Sequence, residues 1–109
     1  YQIVEKTLLP FDVTITGGES MQPTFFKNDT VTLSRIKNPL PNDVILFECL
    51  SEKCAAHEGE YYLTLHRISS VDHNGCFHIV GDNQNSSWDT NDYGCLMQDE
   101  ISIKGVVVK

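Results

Sequence analysis

Hydrophobic and polar positions alternate over short stretches of this chain, with the period of strands rather than helices. Thr30-Val31-Thr32-Leu33-Ser34 is the clearest case, apolar at every second position as a strand with one buried face requires. Alternating or β-branched runs also cover residues 12–16, 44–48, 61–70, 77–80 and 101–108. Most are bounded by Gly, Pro, Asn or Asp, which reads as strand, turn, strand. Asp72-His73-Asn74-Gly75 reads as a hairpin turn in which Asn-Gly supplies positive φ angles. No helical period is sustained beyond about two turns, and the one helical turn expected is a short one after Ser20. The pattern predicts an all-β fold, a single domain over residues 1–109 built of coiled antiparallel sheets.

Composition narrows what such a domain can do. A chain of 109 residues, 40% of them hydrophobic, is enough for one modest core. The formal charge of -7, with eight scattered Lys and Arg, argues against a nucleic-acid partner, which needs clustered bases. No stretch approaches the roughly 20 apolar residues of a spanning helix, and no secretory signal opens the chain. The chain begins at Tyr1 rather than Met, so it reads as a fragment or processed product, and a membrane anchor is expected upstream. Four cysteines, Cys49, Cys54, Cys76 and Cys95, permit three pairings, free thiols or a metal site. Cys49 and Cys54 bracket a short loop that suits a clip across a hairpin, leaving Cys76 and Cys95 for each other or free. The spacing is a poor match to zinc, and no metal or cofactor is expected.

Three segments carry candidate chemistry. In Gly17-Gly18-Glu19-Ser20-Met21-Gln22-Pro23-Thr24-Phe25 a serine follows a glycine pair, where the backbone can turn sharply. Such a turn exposes a hydroxyl and frees amides for a developing oxyanion, the two needs of a nucleophilic serine. In Leu63-Thr64-Leu65-His66-Arg67-Ile68 a histidine lies within an apolar strand, and a neutral imidazole is the usual base for a hydroxyl near neutral pH. The segment from Val80 to Gly94 is dense in Asn, Asp and Ser, as in a structured loop. Either Asp82 or Asp89 in it could orient the imidazole.

In this order the segments resemble the signature boxes of the type I signal peptidases. Gly18-Glu19-Ser20-Met21-Gln22-Pro23-Thr24 resembles the family's nucleophile box, and Asn42-Asp43-Val44-Ile45-Leu46-Phe47 the strand beside its active site. His66-Arg67-Ile68 falls on the general-base box, Gly81-Asp82-Asn83 through Asp89 and Tyr93-Gly94 on the last box, and Ile103-Lys104-Gly105-Val106-Val107 on its trailing strand. The resemblance implies a signal-peptidase-like catalytic core and a serine endopeptidase with Ser20 as nucleophile and His66 as general base. Its substrates would be signal peptides of secretory precursors, cut after small residues at shallow pockets for which Met21, Ile45 and Phe47 are the candidates. It also implies a membrane-associated protein whose catalytic domain faces the outside of the plasma membrane or the endoplasmic-reticulum lumen, with or without accessory subunits.

The departures from the family pattern are informative. Most bacterial members use lysine where this chain has His66, whereas the endoplasmic-reticulum branch uses histidine. Ser87 and Asp89 nonetheless keep the spacing of the lysine branch, which commonly has Arg where Asn91 stands. Without that Arg, Asp89 is the expected hydrogen-bond partner of His66, with Asp82 second. Gly18 replaces a common serine, so the oxyanion would rest on backbone amides, that of Ser20 and a neighbour. Asn42 replaces a glycine and tolerates left-handed backbone. A histidine base implies activity that falls as pH drops through roughly 6 to 7. Other readings are a maturation protease for one substrate, an inactive peptide-binding β-domain, and a metal site from His66, His73, His78 and Cys76. The self-cleaving repressors share Ser-Met-x-Pro but use lysine and lack the Gly-Asp-Asn box.

Overall fold

The computed structural model describes residues 9–54 and 63–108. Six strands, β1 (Phe11–Thr14), β2 (Thr30–Ser34), β3 (Val44–Cys49), β4 (Leu63–Val71), β5 (Phe77–Val80) and β6 (Ile101–Val107), form one antiparallel sheet in the order β1-β2-β6-β3-β4-β5. The all-β expectation therefore holds, as a single sheet. Every expected run among the described residues contains a strand, with the same ends for 30–34 and 77–80 and ends shifted by at most two positions elsewhere; Tyr61 and Tyr62 lie outside the described residues.

The central strand β3 carries buried apolar side chains on both faces of the sheet. Alternation sends Ile45 and Phe47 into one cluster with Ile68, Ile79, Leu96 and Val106. Leu46 points the other way, against Val31 and Leu33, with Phe25 and Leu65 packed alongside. The pairing slips between Leu46 and Phe47 against β6, and again between Ile68 and Ser70 against β5. Such irregularities bend strands and increase their twist.

The β4–β5 hairpin forms where expected but by different chemistry. Only Gly75 takes a left-handed φ, of 81°, whereas a two-residue Asn-Gly turn needs two such residues. Instead the Asp72 carboxylate accepts hydrogen bonds from the amides of Asn74 (2.9 Å) and Cys76 (3.0 Å), closing a longer turn. After Ser20 the chain makes turns rather than a helix, with Gln22 N–H donating to Glu19 C=O at 3.1 Å and Phe25 N–H to Met21 C=O at 2.9 Å.

Helical structure lies instead between β5 and β6, where the sequence pattern did not announce it. Short 3₁₀ turns at Gln84–Ser86 and Gln98–Glu100 flank one helix, α1 (Thr90–Tyr93). Asp89 caps α1, accepting from the Asn91 amide, while Asp92 accepts from the Asp89 amide at 2.9 Å. This reciprocal cap offsets the nucleation cost of so short a helix.

Two disulfides close the fold. Cys49–Cys54 clips the end of β3, with Cα atoms 5.9 Å apart, and Cys76–Cys95 joins the start of β5 to the segment after α1, with Cα atoms 5.6 Å apart. Beside the second, Phe77 and Leu96 exchange backbone hydrogen bonds of 2.7 and 2.8 Å. The β5–β6 connection is thus tied to the sheet at its far end.

Candidate active site

Ser20 sits half-buried just beyond Gly18, which takes a left-handed φ of 81°. Its Oγ lies 3.1 Å from His66 Nε2. His66 comes from the middle of β4, opposite Ile45 of β3, and is 4% exposed. The two residues are 46 positions apart in the chain, and the β5–β6 connection contacts both segments, through Asn83 to Ser20 and Asp82 to Arg67. Asn83 donates from its amide to Ser20 C=O (2.7 Å) and from its side chain to Glu19 C=O (3.0 Å). Gly81 makes that approach possible, since a Cβ there would lie 2.7 Å from the Ser20 carbonyl oxygen and nearer still to Ser87 Oγ. Among the described residues the Ser20 backbone N–H donates no hydrogen bond.

Burial dominates the electrostatics of His66. It lowers the imidazole from 6.5 to about 4, against the opposing pull of Asp89 and Asp82, so the ring is neutral at pH 7. The sequence expectation of titration between roughly 6 and 7 assumed an ordinary imidazole. The buried ring moves that limit to more acidic pH. A neutral ring that accepts the Ser20 proton at Nε2 carries its own proton on Nδ1. Nδ1 is buried and has no hydrogen-bond partner among the described residues.

The two candidate carboxylates are committed elsewhere, which corrects the expectation of a hydrogen bond to His66. Asp82 takes a paired contact from Arg67, with Nε and Nη2 each at 2.8 Å, and a hydrogen bond from Thr24 Oγ1 at 2.5 Å. The Arg67 contact holds its pKa below the usual carboxylate range. Arg67 also donates to Asn42 C=O at 2.7 Å, where Asn42 adopts a left-handed φ of 78°. Asp89 is fully buried and accepts from Gly81 N–H (3.0 Å), Gln84 Nε2 (3.0 Å), Asn91 N–H (2.9 Å) and Ser87 Oγ. Burial raises the pKa of Asp89, but these donors outweigh it and hold the group ionised. Asp89 is thus an anion near the imidazole in charge rather than in contact. Ser87, Gln84 and Asn91 surround it; in the sequence Ser87 and Asn91 stood out only as positions of the last box and Gln84 not at all, and the readable signal was the Asp-x-x-Asp cap of residues 89–92.

An apolar cleft of about 1040 Å³ adjoins the serine, walled by Val13, Ile15, Phe25, Leu46 and Leu65, with Ser20 and Met21 also on its surface. Of the residues expected to line a substrate pocket, Met21 does so. Ile45 and Phe47 do not: 0% and 3% exposed, they face the core, and the residue between them, Leu46, reaches the cleft. Phe25 belongs to the cleft and its supporting cluster, while Phe26 is exposed. The metal arrangement of His66, His73, His78 and Cys76 is not assembled as a ligand set, because the Cys76 sulfur is in a disulfide. Asp72, His78 and Cys95 do approach one another, but the Cys95 sulfur is bonded to Cys76 and is no thiolate.

No family model matches this chain, and no curated protein matches it closely. Among the described residues no helix is long and apolar enough to cross a membrane.

Proposed function

We propose that the chain is a serine endopeptidase of the type I signal peptidase kind, with Ser20 as nucleophile and His66 as general base. The observation that carries this reading is the 3.1 Å contact between Ser20 Oγ and the Nε2 of a buried, neutral His66, beside an apolar cleft. Ser20 Oγ attacks the scissile carbonyl as His66 Nε2 accepts its proton. The imidazolium then protonates the leaving amine, and water, deprotonated by the same ring, resolves the acyl-enzyme. The undonated Ser20 amide is available to the oxyanion.

The substrate in this reading is an extended segment of a secretory precursor with small residues before the cut bond. The two disulfides suit an oxidising compartment, in keeping with a catalytic domain facing away from the cytosol. Incubation with a peptide carrying an Ala-x-Ala site tests the reading. Wild type is expected to cut once, after the second Ala, and Ser20→Ala to leave the peptide intact. Equal cleavage by both proteins would remove Ser20 as the nucleophile, and binding without cleavage by wild type would replace the enzyme with a binding domain.

A further inference from the structure

Asp89 differs from Asp82 in one respect that bears on His66. Both are carboxylates of the β5–β6 connection, but Asp82 is neutralised on the spot by Arg67 at 2.8 Å. Asp89 is 0% exposed, and its donors are two backbone amides, a hydroxyl and a carboxamide, all neutral. Among the described residues neither Lys nor Arg forms an ion pair with it. A second carboxamide fixes the first: Asn91 Nδ2 donates to Gln84 Oε1 at 2.8 Å, turning Gln84 Nε2 toward Asp89 (3.0 Å) and toward Gly81 C=O (2.6 Å).

We infer that Gln84 and Asn91 are positioning residues that hold Asp89 as a buried anion without a cation beside it, so that its charge stabilises protonated His66 through space. This rests on the Ser-His reading above and adds how the ring is supported. An imidazolium formed during attack finds no hydrogen-bond partner for Nδ1 among the described residues. Uncancelled charge in a low-dielectric interior is the remaining means of support, and it acts without contact. Two carboxylates pull on the ring, Asp89 the more strongly, since the charge of Asp82 is shared with Arg67. Asp82 is paired to Arg67, the neighbour of His66 on β4, and β3 presents Ile45 and the Phe47 ring, neither of them charged. A cation at Gln84 or Asn91 would cancel the effect, whereas amides preserve it.

Gln84 and Asn91 are exposed, so charge can be introduced there without filling the core. The test compares Asn91→Arg, Asn91→Asp and the neutral Asn91→Ala, following the His66 ring by NMR titration and kcat and KM with the Ala-x-Ala peptide. Asn91→Arg is expected to lower the His66 midpoint by about one pH unit and kcat by about tenfold at constant KM. Asn91→Asp is expected to raise the midpoint by a similar amount, and Asn91→Ala to move it least. Midpoints that stay fixed in both charged variants, or an equal loss of kcat in Asn91→Ala and Asn91→Arg, would overturn the inference. Because the titration needs no turnover, midpoints that move as expected in a protein that cuts no peptide would support the charge arrangement and reject the protease.

Discussion

Ser20 Oγ meets one nitrogen of His66 at 3.1 Å, and the other nitrogen of that ring has no hydrogen-bond partner among the described residues. A serine-histidine pair usually has its far nitrogen oriented by a carboxylate. Here orientation comes from packing, as β4 holds the ring inside the fold near Phe47 with centroids 6.3 Å apart. Asp82 holds the Arg67 and Thr24 side chains and Asp89 the Gly81 and Asn91 amides, so both reach the ring by charge and neither by contact.

Acid tolerance of activity follows from the buried ring. His66 is lowered to about 4, so the base form persists well below neutrality. Peptide cleavage at pH 5.5 is expected to stay near its neutral value and to fall through a midpoint near 4. A rate profile with its midpoint at roughly 6.5, as for an exposed histidine, would contradict this burial.

The same burial makes the fold acid-sensitive. His66 takes up a proton near 6.5 when unfolded and near 4 when folded. Stability is therefore full above pH 6.5 and drains away as pH falls toward 4, by about 3 kcal/mol in all. Urea unfolding at pH 7 and pH 4.5 measures the loss, and His66→Phe is expected to flatten it. Parallel pH dependence in both proteins would assign the loss to other groups.

Gly81 is expected to accept no side chain. A Cβ would lie 2.7 Å from the Ser20 carbonyl oxygen and closer to Ser87 Oγ, so Gly81→Ala must push the nucleophile segment away from the loop. A cost of about 2 kcal/mol is expected, within the range for overpacking, together with loss of cleavage. Adding Ser87→Gly relieves only the side-chain clash, so a thermal melt of the double variant is expected to recover part of the stability. Full activity in Gly81→Ala alone would show that the contact is dispensable.

Asp82→Asn separates support from chemistry. The change removes the charge that Arg67 pairs with and weakens the contact to Thr24, at about 1 to 2 kcal/mol for a partly exposed, hydrogen-bonded pair. A lower Tm is expected, with the midpoint of the pH-rate profile nearly unchanged because Arg67 already cancels the charge. A large shift of that midpoint would make Asp82, rather than Asp89, the partner of His66.

Much of this was legible in the chain, and the exceptions have physical causes. Val31 and Leu33 announced β2 because one face is buried and the other is not. Ile45, Leu46 and Phe47 form an unbroken apolar run because β3 is covered on both sides, so alternation says which residues share a face but not which face meets the cleft. Ser20 and His66 lie 3.1 Å apart, and that they would meet was expected from their local contexts and their order. The uses of Asp82 and Asp89 were not, since the partners that claim them, Arg67, Thr24, Gln84 and Ser87, are set by how the β5–β6 connection folds back. The acidic shift of His66 likewise depends on burial, which a lone histidine in a strand does not disclose.

The central claim is that Ser20 is a nucleophile activated by His66. Treatment with a serine-directed acylating inhibitor, followed by intact-mass and peptide analysis, tests it most directly. One acyl group is expected on Ser20 in wild type, none in Ser20→Ala, and labelling slowed by about a hundredfold or more in His66→Ala. An unlabelled Ser20, or labelling at the same rate without His66, would contradict the claim.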